Sequence, residues 1–135
     1  MPRVVYFELN AKNPKRAAKF YQDSFGWNVE KWKNKSKEYW LLMTGNPEKE
    51  MGIDGGMTRM DVVDQPVVNT IAVKNLDDTL EKVEKAGGKI LPPGKYEIPG
   101  VAWVAYFLDT EGNKFGIIET DEYLKDKEKE KNGSD

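Results

Sequence analysis

The chain contains no cysteine and no histidine among its 135 residues. The first absence removes any disulfide framework and any thiolate chemistry. The second removes the commonest general base near neutral pH and the commonest metal ligand together. An excess of one charge is missing too: 21 basic residues stand against 23 acidic ones, a formal net charge of −2. Electrostatics therefore offers no case for nucleic acid as a partner. No run of about 18 apolar residues exists to cross a bilayer. The first residues also lack the basic-then-apolar order of a secretory signal. The expectation is a cytoplasmic protein of one compact domain, with no nucleic acid and no membrane among its partners.

What charge there is gathers at one end. Residues 120–135 hold six acids and four lysines, which leaves 17 of each sign in the rest of the chain. Only Tyr123 and Leu124 there have the apolar surface to dock. Residues 121–135 thus read as a charged, largely disordered tail that begins as a short, frayed helix. The balanced body, with four tryptophans, suits a partner recognised by shape and apolar contact.

The body reads as one plan used twice. From Val4 to Leu9 the side chains alternate, with Val5, Phe7 and Leu9 on one face and Val4, Tyr6 and Glu8 on the other. That period of two marks a half-buried strand. Asn13 is a good N-cap and Pro14 fits the first helical position. Ala17, Phe20, Tyr21 and Phe25 then recur at helical spacing up to Gly26, which is placed for a left-handed helix end. Residues 27–32 and 38–43 read as strands around a lysine-rich turn (Lys33, Lys35, Lys37) that would block edge pairing. A glycine-rich segment, Met51 to Met57, completes a module of about residues 3–57. Residues 58–65 read as a linker.

The second module, about residues 66–119, repeats the order. A β-branched strand at 67–73 leads to a helix capped by Asn75, with a buried stripe of Leu76, Leu80, Val83 and Ala86 and an end at Gly87-Gly88. Strands follow at 89–91, 101–108 and 114–119, the last two a hairpin around Asp109–Asn113. Asn13 and Asn75 stand 62 positions apart, as do Gly26 and Gly88. A module of about 60 residues with one helix buries too little surface alone, so a packed pair is expected. The fold class is α+β, two tandem βαβββ modules within residues 1–120.

Three local patterns carry a resemblance. They are Ala17-Ala18-Lys19-Phe20-Tyr21 through Phe25-Gly26-Trp27, the helix end Lys82-Val83-Glu84-Lys85-Ala86-Gly87-Gly88, and Asp109-Thr110-Glu111-Gly112-Asn113 before a strand ending in Glu119. In this order the chain resembles the vicinal oxygen chelate superfamily of glyoxalases, bleomycin-resistance proteins, fosfomycin-resistance enzymes and extradiol dioxygenases. The resemblance implies a curved mixed sheet with an internal ligand cup, helices outside, and a homodimer. It also implies a divalent ion held from the first strand of each module and from a glutamate ending the last strand. Those positions fall on Tyr6, Val68 and Glu119. Valine has no donor atom, a neutral phenol is a poor ligand for a hard cation, and one carboxylate cannot hold an ion where about three ligands are the norm. No metal and no cofactor are expected.

Candidate residues follow from that frame. Glu119 is the candidate catalytic group, as general base or as acceptor for a ligand. Glu8 shares a face with Tyr6, and either lines the cavity or pairs with a neighbouring cation. Trp27, Trp32, Trp40 and Trp103 are either core residues or walls for an apolar ligand. The ligand-binding set expected is Tyr6, Glu8, Trp40, Trp103 and Glu119. The expected function is binding of a small, partly aromatic molecule in the cup. The alternatives are a lyase or isomerase using Glu119 with Glu8 or Tyr6 as acid/base groups, and a structural or regulatory dimer with a filled core.

Overall fold

The computed structural model describes residues 2–33, 38–62 and 64–132, so Lys35 and Lys37 of the lysine-rich turn and the last three residues lie outside it. The chain forms two compact units, one of Val5–Asn69 and one that comprises Thr70–Asp135 together with Met1–Val4. The first carries the βαβββ plan the repeat predicts, and the second carries it with one short additional strand.

In the first unit β1 (Arg3–Ala11) leads into α1 (Pro14–Phe25), then β2 (Asn28–Lys31), β3 (Tyr39–Met43) and β4 (Gly55–Arg59). The sheet order is β2-β3-β4-β1. β1 runs parallel to β4, and the other pairs are antiparallel. α1 starts as the sequence requires: Asn13 Oδ1 accepts the Arg16 amide at 3.0 Å, which satisfies one of the helix's unpaired donors. It stops at Gly26, left-handed at φ 70°. β4 runs two residues into the segment expected as linker.

Alternation decides what each face does. Trp40, Leu42 and Met57 form the core of this unit, with Phe7, Leu9, Ala11, Ala17, Ala18 and Val29 packed against it. The buried stripe of α1 differs from the expected one. Ala17 and Ala18 make the contact, while Phe20 and Phe25 remain 57% and 63% exposed. The two small residues let the helix approach the sheet closely and turn the rings outward. There Phe20, Tyr21, Phe25 and Trp27 form an aromatic cluster, Tyr21 stacking on Trp27 with centroids 5.1 Å apart.

The second unit contains the latter part of β5 (Val67–Ala72), α2 (Leu76–Lys85), β6 (Lys89–Ile90), β7 (Tyr96–Ile98), β8 (Ala102–Leu108) and β9 (Lys114–Glu119). The order is β5-β9-β8-β6, with β7 also paired to β8. The short strand β7 lies where the sequence reads as loop, because the hairpin with β8 supplies its hydrogen bonds. Asn75 Oδ1 accepts the Asp78 amide at 2.9 Å, and Leu76, Leu80 and Val83 pack with Val73, Ala105 and Ile117. Ala86, expected in the buried stripe, is exposed, and α2 ends at the expected Gly87-Gly88, with Gly87 left-handed at φ 98°.

The tail is the clearest correction. Asp121–Asn132 is a helix, α3, rather than a largely disordered segment. One residue anchors it: Tyr123 is 1% exposed, meets Trp103 edge-on at 5.7 Å, and its hydroxyl accepts the Gly100 amide at 2.5 Å. One turn later Lys127 pairs with Glu97 at 2.8 Å and lies over the Tyr123 ring. Composition warned of disorder because it averages over a segment whose docking rests on two side chains.

Tyr123→Ala should destabilise the protein by about 3 kcal/mol, the range for emptying a buried aromatic site. Tyr123→Phe should cost only about 1 kcal/mol for the lost hydrogen bond. Urea denaturation of both variants checks this, and an alanine effect below about 1 kcal/mol would show that α3 does not dock.

Candidate functional site

The face of the first sheet turned away from α1 carries a polar cluster. Strand alternation puts Tyr6 and Glu8 of β1 there, with Tyr39 of β3 and Gly56 of β4. The Tyr6 and Tyr39 hydroxyls lie 2.7 Å apart, and Tyr39 Oη donates to Glu8 Oε2 at 3.2 Å. The three side chains thus form one hydrogen-bonded chain that ends on a carboxylate. Tyr39 is buried, and Tyr6 and Glu8 are partly exposed. Trp32 meets the Tyr39 ring edge-on at 5.9 Å.

Gly56 makes room for this cluster. A Cβ at position 56 would collide with Tyr39 Oη and with Tyr6 Oη. A glycine inside a strand here marks a close approach of side chains.

The environment keeps the Tyr6 proton in place. Burial pushes the Tyr6 phenol above its usual range, and the negative charges of Glu8 and Asp54 push the same way, against the Tyr39 hydrogen bond. Tyr6 therefore remains a neutral donor at physiological pH. Because the folded state binds this proton more tightly than the unfolded chain, its contribution to stability is complete below the ordinary tyrosine range. It is lost as pH rises through the raised value.

The other expected site residues lie elsewhere. Trp40 faces α1 in the core of its unit, on the side of the sheet opposite Tyr6 and Glu8. Trp103 packs against the helix-side core of the second unit, beside Tyr123 and under the Lys95 ammonium, 4.9 Å from its ring. Glu119 shares the face of Ile117, not of Ile118. It is 3% exposed, and its Oε2 accepts the Leu76 amide at 2.6 Å at the start of α2. There a carboxylate meets both an unpaired donor and the positive end of the helix dipole. The structure thus gives Glu119 a capping contact on the helix side. Of the five expected residues, Tyr6 and Glu8 come together on the open face of the first unit, while Trp103 and Glu119 are cross-strand partners on the helix side of the second.

The metal positions implied by the resemblance do not fit an ion. Val68 is buried and has no donor, the Tyr6 phenol is held neutral, and the Glu119 carboxylate is committed to the α2 amide. Sequence reasoning missed Tyr39 and Gly56 as site residues. In the aromatic pair Tyr39-Trp40 alternation sends one ring to each face, but only the neighbouring strands show which face carries the helix.

Comparison with known proteins agrees with this architecture. The Glyoxalase/Bleomycin resistance protein/Dioxygenase superfamily model matches residues 3–117, and the chain belongs to this family. A "glyoxylase-like domain-containing protein" of Didymella fabae is 34% identical over 113 residues, covering 82% of this chain and 88% of its own. Among solved structures, methylmalonyl-CoA epimerase from Streptomyces coelicolor, in complex with 2-nitronate-propionyl-CoA, superposes with a TM-score of 0.65. It is 9% identical over 90% of this chain and 99% of that one. The epimerase from Mycobacterium tuberculosis gives 0.63 at 11% identity, covering 90% and 89%. A hypothetical protein from Bacillus halodurans gives 0.64 at 13%, covering 87% and 94%. At such low identity these chains share the fold with this one. Among the described residues no helix is long and apolar enough to cross a membrane.

Gly56→Ala should destabilise the fold by about 2 kcal/mol through overpacking, with the tyrosine cluster bearing the displacement. In an alkaline absorbance titration, Tyr6→Phe should remove a step that lies above the ordinary tyrosine range. An unchanged late-titrating tyrosine in Tyr6→Phe would assign the shift to another residue.

Proposed function

We propose that the protein binds a small, partly aromatic molecule against the Tyr6–Tyr39–Glu8 cluster, without a catalytic metal. The observation that carries this reading is the hydrogen-bonded chain itself, 2.7 Å and then 3.2 Å, on a partly exposed sheet face. Neutral phenols and a carboxylate can accept from and donate to a ligand's hydroxyl or carbonyl, and the Trp32 ring beside Tyr39 offers an apolar surface. Membership of a glyoxalase-like family supports small-molecule binding, and the donor chemistry at Tyr6, Val68 and Glu119 supports a metal-free site.

The same chain favours a second reading, an isomerase or lyase. A carboxylate hydrogen-bonded to a phenol pairs a base with an acid, as is needed to move a proton beside a carbonyl. With Glu119 committed to α2, Glu8 is the base and Tyr39 or Tyr6 the acid in that reading. We also infer a homodimer, supported by the exposed aromatic cluster on α1.

The test is a screen of small aromatic alcohols and carbonyl compounds by tryptophan fluorescence, with EDTA present throughout. Compounds that bind should lose about tenfold in affinity on Tyr39→Phe or Glu8→Gln, the loss expected for a hydrogen bond to a charged group. Binding that needs an added divalent ion would refute the metal-free site. Exchange of deuterium from solvent next to the carbonyl of a bound compound, absent in Glu8→Gln, would establish the enzymatic reading.

A further inference from the structure

A phenol carries one proton, so the chain of side chains on the open face of the first sheet has a direction. The Glu8 carboxylate only accepts, and Tyr39 Oη donates to its Oε2 at 3.2 Å. Tyr39 then has no second proton for Tyr6. In the 2.7 Å link between the two phenols Tyr6 is therefore the donor and Tyr39 the acceptor. Both phenol protons are committed within the chain, and what Tyr6 Oη offers to a ligand is a lone pair. We propose, on the reading that this cluster is the binding site, that it selects an aromatic compound whose polar group is a hydroxyl, able to bring the proton itself, over the corresponding carbonyl compound.

The fold holds the chain in this direction. Glu8 of β1 lies opposite Gly56 of β4, and the two hydroxyls fill the space over that glycine where a Cβ would collide with both. Tyr39 is buried, so bulk water does not compete for its proton. That proton could turn to Tyr6 only by leaving the carboxylate. A hydrogen bond to a charged acceptor is roughly twice as strong as one between neutral groups, so the carboxylate keeps it.

Charge works in the same sense. Glu8 and Asp54 both act on the Tyr6 oxygen as negative charges. A carbonyl oxygen brought to Tyr6 Oη sets lone pair against lone pair in that field, whereas a hydroxyl points its hydrogen into it. The hydroxyl also extends the row of donors by one, and hydrogen bonds in line polarise one another. The Trp32 ring, edge-on to Tyr39, offers apolar surface for the aromatic body.

1-Phenylethanol, acetophenone and ethylbenzene share one carbon skeleton and carry a hydroxyl, a carbonyl or neither, so they are the probes. Each is titrated into isotope-labelled protein while the Tyr39 and Gly56 amide resonances are followed. The alcohol should shift both saturably, with a dissociation constant on the order of 1 mM, as befits a fragment. Acetophenone should bind no better than ethylbenzene, and both about fivefold more weakly than the alcohol, the worth of one hydrogen bond. Glu8→Gln adds amide protons to the chain, and whichever way the amide turns, one is left over for a ligand. In that variant acetophenone should gain about fivefold, closing the gap to the alcohol. Should the variant not fold, the ranking in the unaltered protein decides by itself. Acetophenone binding as well as the alcohol in the unaltered protein, or gaining nothing in a folded Glu8→Gln, would overturn the selection of donors and leave the cluster as a binding site. If none of the three compounds shifts these resonances, the binding site falls and the selectivity with it.

Discussion

The polar cluster of the first module depends on one missing side chain. At position 56 two tyrosine hydroxyls occupy the volume that any Cβ would need. Because Tyr6 and Tyr39 meet over that glycine, Tyr39 can in turn reach Glu8, and a carboxylate on a partly buried strand face gains a donor. Without the close approach, Glu8 would lose that compensating hydrogen bond. The strained reading of a glycine in a strand, as a cost in entropy, is here outweighed by the contact it permits.

Alternation along each strand divides the labour. On the α1 side the first module is closed by Trp40, Leu42 and Met57 under two alanines, a conventional apolar core. On the opposite side hydroxyls and a carboxylate are hydrogen-bonded to one another. The second module repeats the capped helix but uses its strand-end acid differently. Glu119 faces α2 and accepts from its first amide, so an acid that would suit a ligand is spent on a helix terminus. Two modules with the same plan thus put their carboxylates to unlike uses, Glu8 on an open face and Glu119 in the core.

The charged end of the chain shows how few contacts are needed to order a helix against a body. α3 is polar almost throughout, yet Tyr123 fills a buried position and Lys127 bridges to Glu97. The ion pair holds the Glu97 carboxyl below its usual range, chiefly through the Lys127 hydrogen bond. That pair is solvent-accessible, so most of the attachment lies in the tyrosine. Loop 44–54 follows a similar economy, with one threonine and one aspartate closing it.

Local chemistry was legible in the sequence. Asn13 and Asn75 announced both helix starts, Gly26 an end, and the repeated order of elements the α+β class and the paired modules, because caps and alternation act over a few residues. Alternation also set Tyr6 beside Glu8 before any fold was known. The tertiary structure alone decided which face of each strand the helix covers. That choice sent Trp40 and Trp103 into cores and turned Glu119 to α2. It also brought Tyr39 from 31 residues away to Glu8. It turned Phe20 outward and ordered α3 through Tyr123. Each of these depends on contacts between elements remote in sequence, and period and propensity, being local, do not encode which remote partners meet.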